Sequence, residues 1–157
     1  MARVYFDTSF VSACVTTRDD PASIVRRQTS SEWLSTQQHL HSVFVSAEVI
    51  NELDNAAFSH RDAALQLVSD LPLLELNEDA FGLAAAFIAH KLMPGPVSGD
   101  ALHVAACCVH NMEYLLSWNV RHLANPRKVD HPRIICTRLG LVPPAIVTPD
   151  LLWEDPE

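Results

Sequence analysis

The chain has 157 residues, a net charge of −8 at pH 7 and a pI of about 5.4, with 48% hydrophobic and 19% charged residues. This composition excludes a disordered chain, and its acidity disfavours bulk binding to a polyanion unless metal ions or a local basic patch neutralise it. No apolar run approaches the roughly 20 residues of a membrane span, and the four cysteines contain no C-x-x-C pair. We therefore expect one cytoplasmic domain, residues 1–150, with no membrane association and a frayed acidic tail, residues 151–157.

The first predicted strand is the apolar run Val4–Phe6. Three polar residues follow it: Asp7, Thr8 and Ser9. Thr8 and Ser9 are expected to cap a helix that begins at Phe10. Ligands of open α/β sheets bind just beyond the carboxyl ends of the strands. Asp7 is therefore predicted to lie in a functional site, with helix capping as the alternative role.

The rest of the chain alternates between helical and extended patterns. Further strands are predicted at Ser42–Ser46, Pro72–Leu76, Tyr114–Ser117 and Ala145–Thr148. Helices are predicted at Pro21–Gln38, Ala47–Ala57, His60–Leu71, Glu78–Leu92 and Ala101–His110, and within Asn125–Gly140. This alternation favours an α/β fold, a three-layer sandwich with a central five-stranded parallel sheet.

The apolar positions of three helices predict how each one packs. The helix at Pro21–Gln38 has few apolar residues, Trp33 among them, so we expect it to be peripheral. The helix at Ala101–His110 is the most apolar and is expected to be the most buried. The helix at Glu78–Leu92 is expected to turn four residues inward: Phe81, Ala84, Ala85 and Ile88.

Three acids and an amide occupy similar positions after the predicted strands: Asp7, Glu52, Asp100 and Asn119. In a parallel sheet all four can reach one edge of the molecule. Clustered carboxylates are costly unless a cation or bound protons neutralise them. Hard oxygen ligands favour Mg²⁺ or Mn²⁺, which activate water and shield phosphate oxygens. The pattern therefore suits phosphodiester hydrolysis.

Four segments resemble the PIN domain, and most closely the VapC-type toxins of bacterial toxin–antitoxin systems. They are Val-Tyr-Phe-Asp-Thr-Ser (4–9), Val-Ser-Ala-Glu-Val-Ile-Asn-Glu-Leu (45–53), Gly-Asp-Ala-Leu-His-Val-Ala (99–105) and Leu-Leu-Ser-Trp-Asn-Val-Arg-His-Leu (115–123). The resemblance implies the same five-stranded fold and a Mg²⁺- or Mn²⁺-dependent endoribonuclease. It also implies an RNA substrate, a cognate antitoxin protein and a homodimer.

The resemblance also implies roles for individual residues. Asp7, Glu52 and Asp100 correspond to the metal-binding acids, with Glu48 as the less favoured acid of its helix. Many family members have an acid where this chain has Asn119, which offers an oxygen but no charge. The implied catalytic set is Asp7, Glu52, Asp100 and Asn119, and the implied substrate contacts are Thr8, Ser9, Ser117 and Arg121.

Two other functions stay open. Without the fourth acid, the chain could be a catalytically weak or inactive PIN-like module that binds RNA or protein. Alternatively, Asp7 could be phosphorylated during phosphoryl transfer, although Ser9 stands where haloacid-dehalogenase-like phosphatases have a second acid.

Four further residues receive structural interpretations. His103 is expected to be packed with one hydrogen bond, with a substrate contact as the alternative. Trp118 is expected to pack beneath the strand end, with base stacking as the alternative. The pair Arg26 and Arg27 is expected to keep its helix soluble, with contact to an RNA backbone as the alternative.

Overall fold

Five parallel strands form the central sheet of the computed structural model, which describes residues 1–55, 59–123 and 130–155. The strands are β1 (Arg3–Phe6), β2 (Ser42–Ser46), β3 (Leu73–Leu74), β4 (Tyr114–Leu116) and β5 (Ala145–Val147). Their order across the sheet is β3-β2-β1-β4-β5, and every neighbouring pair is parallel. The predicted five-stranded parallel sheet is confirmed, and its central strand is the one that ends in Asp7.

Helices connect the strands and flank the sheet. They are α1 (Thr8–Val15), α2 (Pro21–Thr36), α3 (Ala47–Leu53), α4 (Arg61–Val68), α5 (Glu78–Ala89), α6 (Asp100–Val109), α7 (Val120–Leu123) and α8 (Asp130–Arg138). Two short 3-10 turns lie at Gln38–Leu40 and Pro149–Leu151. The predicted helices are present but mostly shorter, and parts of the predicted segments at residues 56–58 and 124–129 lie outside the described residues. No helix in the described ranges is long and apolar enough to cross a membrane.

The core lies between the sheet and the helices that cover it. In β1, Val4, Tyr5 and Phe6 are fully buried, as expected for a central parallel strand covered on both faces. Every residue of α6 from Ala101 to Cys108 is buried, which confirms the prediction for this helix. Side chains carried by the central strand and by α6 are therefore attached to a rigidly packed backbone.

The prediction that α2 is peripheral is wrong at Trp33. This side chain is fully buried, and its ring packs edge-on against Phe6 and Phe10 at centroid distances of 5.7 and 5.8 Å. Its indole N–H donates to the backbone oxygen of Leu152 at 2.6 Å. Leu152 is itself buried, so the expectation of a frayed tail is also wrong up to this residue. A polar helix can still bury a single large side chain when the chain terminus folds over it.

The predicted inward face of α5 is wrong in part. Ala84 is buried as expected, but Phe81 is 45% exposed and Ala85 is also exposed. The buried positions are Ala80, Leu83, Ala84 and Phe87. In a helix this rich in alanine, more than one stripe of apolar residues has helical spacing, so the pattern alone does not select the buried one.

Candidate active site

Asp7 joins the end of β1 to the start of α1. Its N–H continues the sheet by donating to the backbone oxygen of Leu116 at 3.1 Å. Its Oδ2 accepts hydrogen bonds from the hydroxyls of Ser9 and Ser117 at 2.7 Å each, and the residue is only 2% exposed. Asp7 is also the N-cap of α1, accepting from the Ser9 N–H, so the expectation that Thr8 and Ser9 cap this helix is wrong. Asp7 therefore caps a helix and lies at the carboxyl end of the central strand, and its role in a functional site stays a prediction.

The carboxylates of Glu52 and Asp7 both approach Nε2 of His103. Glu52, on α3, accepts hydrogen bonds at Oε1 from the Thr8 hydroxyl, 3.0 Å away, and from Nε2 of His103. The same Nε2 lies 3.8 Å from Oδ1 of Asp7. Two acids that are far apart in the sequence thus meet at one buried imidazole, at the carboxyl end of the sheet.

The other side of the His103 ring is held by the sheet. Its Nδ1 lies 2.6 Å from the Tyr5 hydroxyl, which also contacts the Ser46 hydroxyl at 2.8 Å. Ser46 occupies the N-cap position of α3, but its side chain makes no capping hydrogen bond and contacts Tyr5 instead. His103 is packed, as expected, but it has partners on both nitrogens rather than one.

The charges around His103 favour its protonated form. Burial alone lowers the pKa of His103, but the hydrogen bond to Glu52 and the negative charges of Asp7, Glu52 and Glu48 raise it above its ordinary value. Burial also tends to raise the pKa of Glu52, but the hydrogen bonds from His103 and Thr8 hold it below its usual value. The site therefore favours a positively charged imidazole facing two carboxylates.

A second network holds the turn after β4. The Ser9 and Ser117 hydroxyls lie 3.0 Å apart, and each accepts a backbone N–H at 2.9 Å, from Trp118 and Asn119 respectively. Ser117 is fully buried, so its hydroxyl orients Asp7 and the turn in this structure. Substrate contacts by Thr8, Ser9 and Ser117 stay predictions; in this structure their hydroxyls hold Glu52 and Asp7 in place.

The remaining candidate residues lie around this centre. Asp100 is the first residue of α6, half-buried and three positions before His103. Asn119 is exposed in the turn after β4. Arg121 lies in α7, and its side chain is outside the part of the structure that is described. Thr8 contacts Glu52 directly, and His103 links Glu52 to Asp7. Metal binding by Asp7, Glu52 and Asp100 stays a prediction.

The donor atoms fit a hard divalent cation. Within the described residues, no three His, Cys, Asp or Glu side chains are already arranged to hold a metal ion. Carboxylate oxygens are nevertheless the ligands that Mg²⁺ and Mn²⁺ prefer. Asp7 and Glu52 already approach one imidazole whose protonated form the site favours, so a positive charge is stabilised between them.

Tyr5, Ser46 and His103 are the site residues that sequence reasoning did not assign. Tyr5 and Ser46 lie in strands, where their patterns are typical of core positions. For His103, the available signal is its spacing: three residues after Asp100, it lies on the same side of α6 one turn further on.

No family model and no curated protein sequence matches the chain. Its fold is similar to VapBC2 from Rickettsia felis bound to a DNA fragment from their promoter, with a TM-score of 0.59 and 13% identity, covering 93% of this chain and 98% of that one. It is also similar to Mycobacterium tuberculosis VapC20, a Sarcin-Ricin loop cleaving toxin (TM-score 0.57, 16% identity, 88% of this chain and 96% of that one). FitAcB from Neisseria gonorrhoeae aligns with a TM-score of 0.54 and 11% identity over 93% of this chain and 97% of that one. The chain thus has the PIN-like fold that its sequence predicted.

Proposed function

We propose that this chain, which has the fold of the VapC-type PIN domains, is a divalent-metal-dependent endoribonuclease that hydrolyses phosphodiester bonds. The observation that supports this most directly is the approach of the Asp7 and Glu52 carboxylates to one buried imidazole nitrogen. The fold of VapC20, described as a Sarcin-Ricin loop cleaving toxin, supports RNA as the substrate class.

Mg²⁺ or Mn²⁺ would be held by Asp7 and Asp100, with Glu52, and would polarise the scissile phosphate and activate the attacking water. The chain's own residues prepare this site. Ser9 and Ser117 fix one oxygen of Asp7 and leave Oδ1 facing His103. Together with the packed walls, these contacts preorganise the acids, so little rearrangement is needed when substrate binds.

His103 acts as a positioning residue in this proposal. It donates from Nε2 to Glu52 while Tyr5 holds its Nδ1, so the direction of the Glu52 carboxylate is set by the sheet. The acids raise the pKa of this imidazole, and its charged form offsets the repulsion between them. Asn119 is exposed, and its backbone N–H is held by Ser117, so the role proposed for its amide is to orient the substrate phosphate.

An antitoxin partner is part of the proposal. The similar VapBC2 and FitAcB structures support a partner of this class. The homodimer and the cytoplasmic location are predictions of the same kind, made from the resemblance and the composition.

The second candidate function is a PIN-like module that binds RNA or protein without efficient catalysis. The observation that favours it is Asn119, an uncharged residue where many PIN domains have an acid. Phosphorylation of Asp7 stays a weaker hypothesis, because Ser9 and Ser117 already occupy one oxygen of this nearly buried carboxylate.

A metal titration separates the first two functions. Purified wild type is incubated with mixed RNA in Mn²⁺ or in EDTA, beside Asp7→Asn, and its thermal stability is recorded in both solutions. The nuclease proposal predicts cleavage only with Mn²⁺ and only by wild type, with a higher melting temperature in Mn²⁺ because the ion binds the folded state. RNA binding without cleavage and without a melting shift would favour the binding module.

A further inference from the structure

A cavity of about 410 Å³ opens beside the acids, between α1, α2 and the turn after β4. Its wall nearest the candidate active site is formed by Ser9, Trp118 and Asn119. The volume falls within the roughly 300–1,000 Å³ that is typical of pockets for small ligands. We call this cavity the α2 pocket.

The charges of the α2 pocket are opposite to those of the whole chain. Arg18 and Arg26 line it together with His60, and none of its described lining residues is an Asp or Glu. The chain as a whole has a net charge of −8. A local concentration of positive charge on an acidic protein attracts an anionic ligand, whereas the acidic remainder of the surface repels it.

The three arginines near the pocket have different roles. Arg27 donates to the backbone oxygens of Thr16 and Arg18, 3.0 and 3.4 Å away, and so holds the loop at the pocket rim. Arg18 is highly exposed and pairs with Asp20 at 3.4 Å. Arg26 instead places its guanidinium 5.5 Å from the centroid of the Trp118 ring, inside the lining of the pocket. Arg26 is therefore the cation best placed to meet a phosphate there.

Trp118 gives the pocket an aromatic wall with a fixed orientation. Its backbone N–H donates to the Ser9 hydroxyl and its indole N–H donates to the buried Ser30 hydroxyl, both at 2.9 Å. Unpaired bases stack on aromatic rings and on guanidinium planes. Trp118 thus offers an aromatic ring for stacking, and Arg26 offers a guanidinium plane.

Ser9 joins this wall to the acids. Its hydroxyl contacts Asp7 Oδ2 at 2.7 Å and accepts from the Trp118 N–H at 2.9 Å. Ser9 thus connects the backbone of Trp118 at the pocket wall to the carboxylate that is proposed to act on the RNA. Ser12, Thr16 and Ser23 are also lining residues, and their hydroxyls are of the type that pairs with the polar groups of a ribose.

We propose that the α2 pocket holds one unpaired nucleotide of the RNA substrate next to the cleaved bond, with its base against Trp118 and a phosphate on Arg26. The identity of the ligand as RNA rests on the proposed function. Since a base must leave its stack to lie against Trp118, the proposal predicts cleavage at single-stranded positions. Of the two roles that the sequence leaves open for Trp118 and for Arg26, the pocket favours contact with RNA.

Binding is tested without cleavage, on the full chain in EDTA, with a short fluorescent single-stranded RNA of mixed sequence. Arg26→Ala is expected to weaken binding about tenfold and to lower the slope of log affinity against log salt by about 0.7, as for one lost phosphate contact. Arg138→Ala on α8 removes the same charge outside the pocket and is the matched control, expected to bind within about twofold of wild type. Trp118→Phe keeps an aromatic face and is expected to retain binding within about threefold, but to lose the quenching of tryptophan fluorescence by RNA.

The outcomes separate this inference from the proposed function. If Arg26→Ala binds RNA like Arg138→Ala, or if the quenching persists in Trp118→Phe, the pocket assignment is wrong even when wild type cleaves RNA in Mn²⁺. If wild type cleaves nothing but binds RNA through Arg26, the pocket stands and the nuclease proposal fails. Tighter Arg26-dependent binding of a polyglutamate peptide than of RNA would overturn the assignment in favour of an acidic protein partner.

Discussion

The hydroxyl of Tyr5 lies 2.6 Å from Nδ1 of His103, although 98 residues separate the two in the chain. This contact fastens the central strand to α6, and through Nε2 of the same ring it sets the position of Glu52. The orientation of the partly exposed Glu52 carboxylate on α3 therefore depends on a hydroxyl that is fully buried in the core.

Tyr5→Phe is expected to destabilise the protein by about 1–3 kcal/mol, because the Ser46 hydroxyl and His103 Nδ1 lose a partner in a buried place. Urea denaturation measures the change. Tyr114→Phe, on the neighbouring strand, is the control and is expected to cost about 0.5 kcal/mol or less. Equal losses in the two variants would show that the buried hydroxyl network adds nothing.

Asp7→Asn is expected to abolish RNA cleavage, whereas Asn119→Ala is expected only to slow it. Asparagine is as good an N-cap as aspartate, so Asp7→Asn should keep the fold while cleavage in Mn²⁺ falls to background. Asn119→Ala, an exposed change beside the centre, should reduce the rate about ten- to a hundredfold, as for a residue that orients another group. Initial rates on one RNA at a fixed Mn²⁺ concentration make the comparison. Loss of the same size in both would contradict the division of roles.

The stability contributed by His41 is expected to depend on pH. The ring is buried and stacked on Trp33, and its Nδ1 accepts the Ala2 N–H at 3.3 Å. Burial lowers the pKa of His41 below its usual 6.5, so the unfolded chain takes up the proton at a higher pH than the folded one. Its contribution is complete above about pH 6.5 and is lost as the pH falls through the depressed folded value.

His41→Gln removes this titration while keeping a hydrogen-bonding side chain. The difference in unfolding free energy between wild type and variant should therefore be constant from about pH 8 to pH 7 and should shrink below about pH 6.5. Urea denaturation at a series of pH values measures it, and taking the difference cancels the opposite slope that His103, whose pKa is raised, contributes to both proteins. A difference that stays flat down to about pH 5 would contradict the depressed pKa of His41.

Trp33 is expected to be among the costliest residues to truncate. Trp33→Ala should destabilise the protein by about 3–5 kcal/mol, because it empties a fully buried site packed by Phe6 and Phe10. Trp33→Phe keeps most of the apolar contact but leaves the Leu152 oxygen without its donor, at a cost of about 1–3 kcal/mol. Trp153→Phe, at a half-buried position, is the matched control in the same urea titration. A Trp33→Ala loss no greater than that of the control would show that the terminus does not close over α2.

The sequence alone was sufficient to predict the five strands of the sheet and the residue at which the central strand ends. Apolar runs bounded by polar residues located all five strands within a few residues. The signal is clearest in the central strand, which is buried on both faces and is therefore continuously apolar. Helix ends were less well predicted: α3 ends at Leu53, earlier than its pattern suggested. On α5 the wrong stripe was chosen, because an alanine-rich helix presents several apolar stripes and only its contact with α6 selects one.

What the sequence determined by itself is the order of strands and helices along the chain and the presence of Asp7 where the central strand stops, because these depend on local patterns of apolar and polar residues. What only the tertiary structure decided is which distant groups meet. His103 between Asp7 and Glu52, Trp118 bound to Ser9 beside Arg26, and Leu152 over Trp33 all join residues from separate elements. Such contacts depend on how the helices pack on the sheet, and no local pattern records that packing.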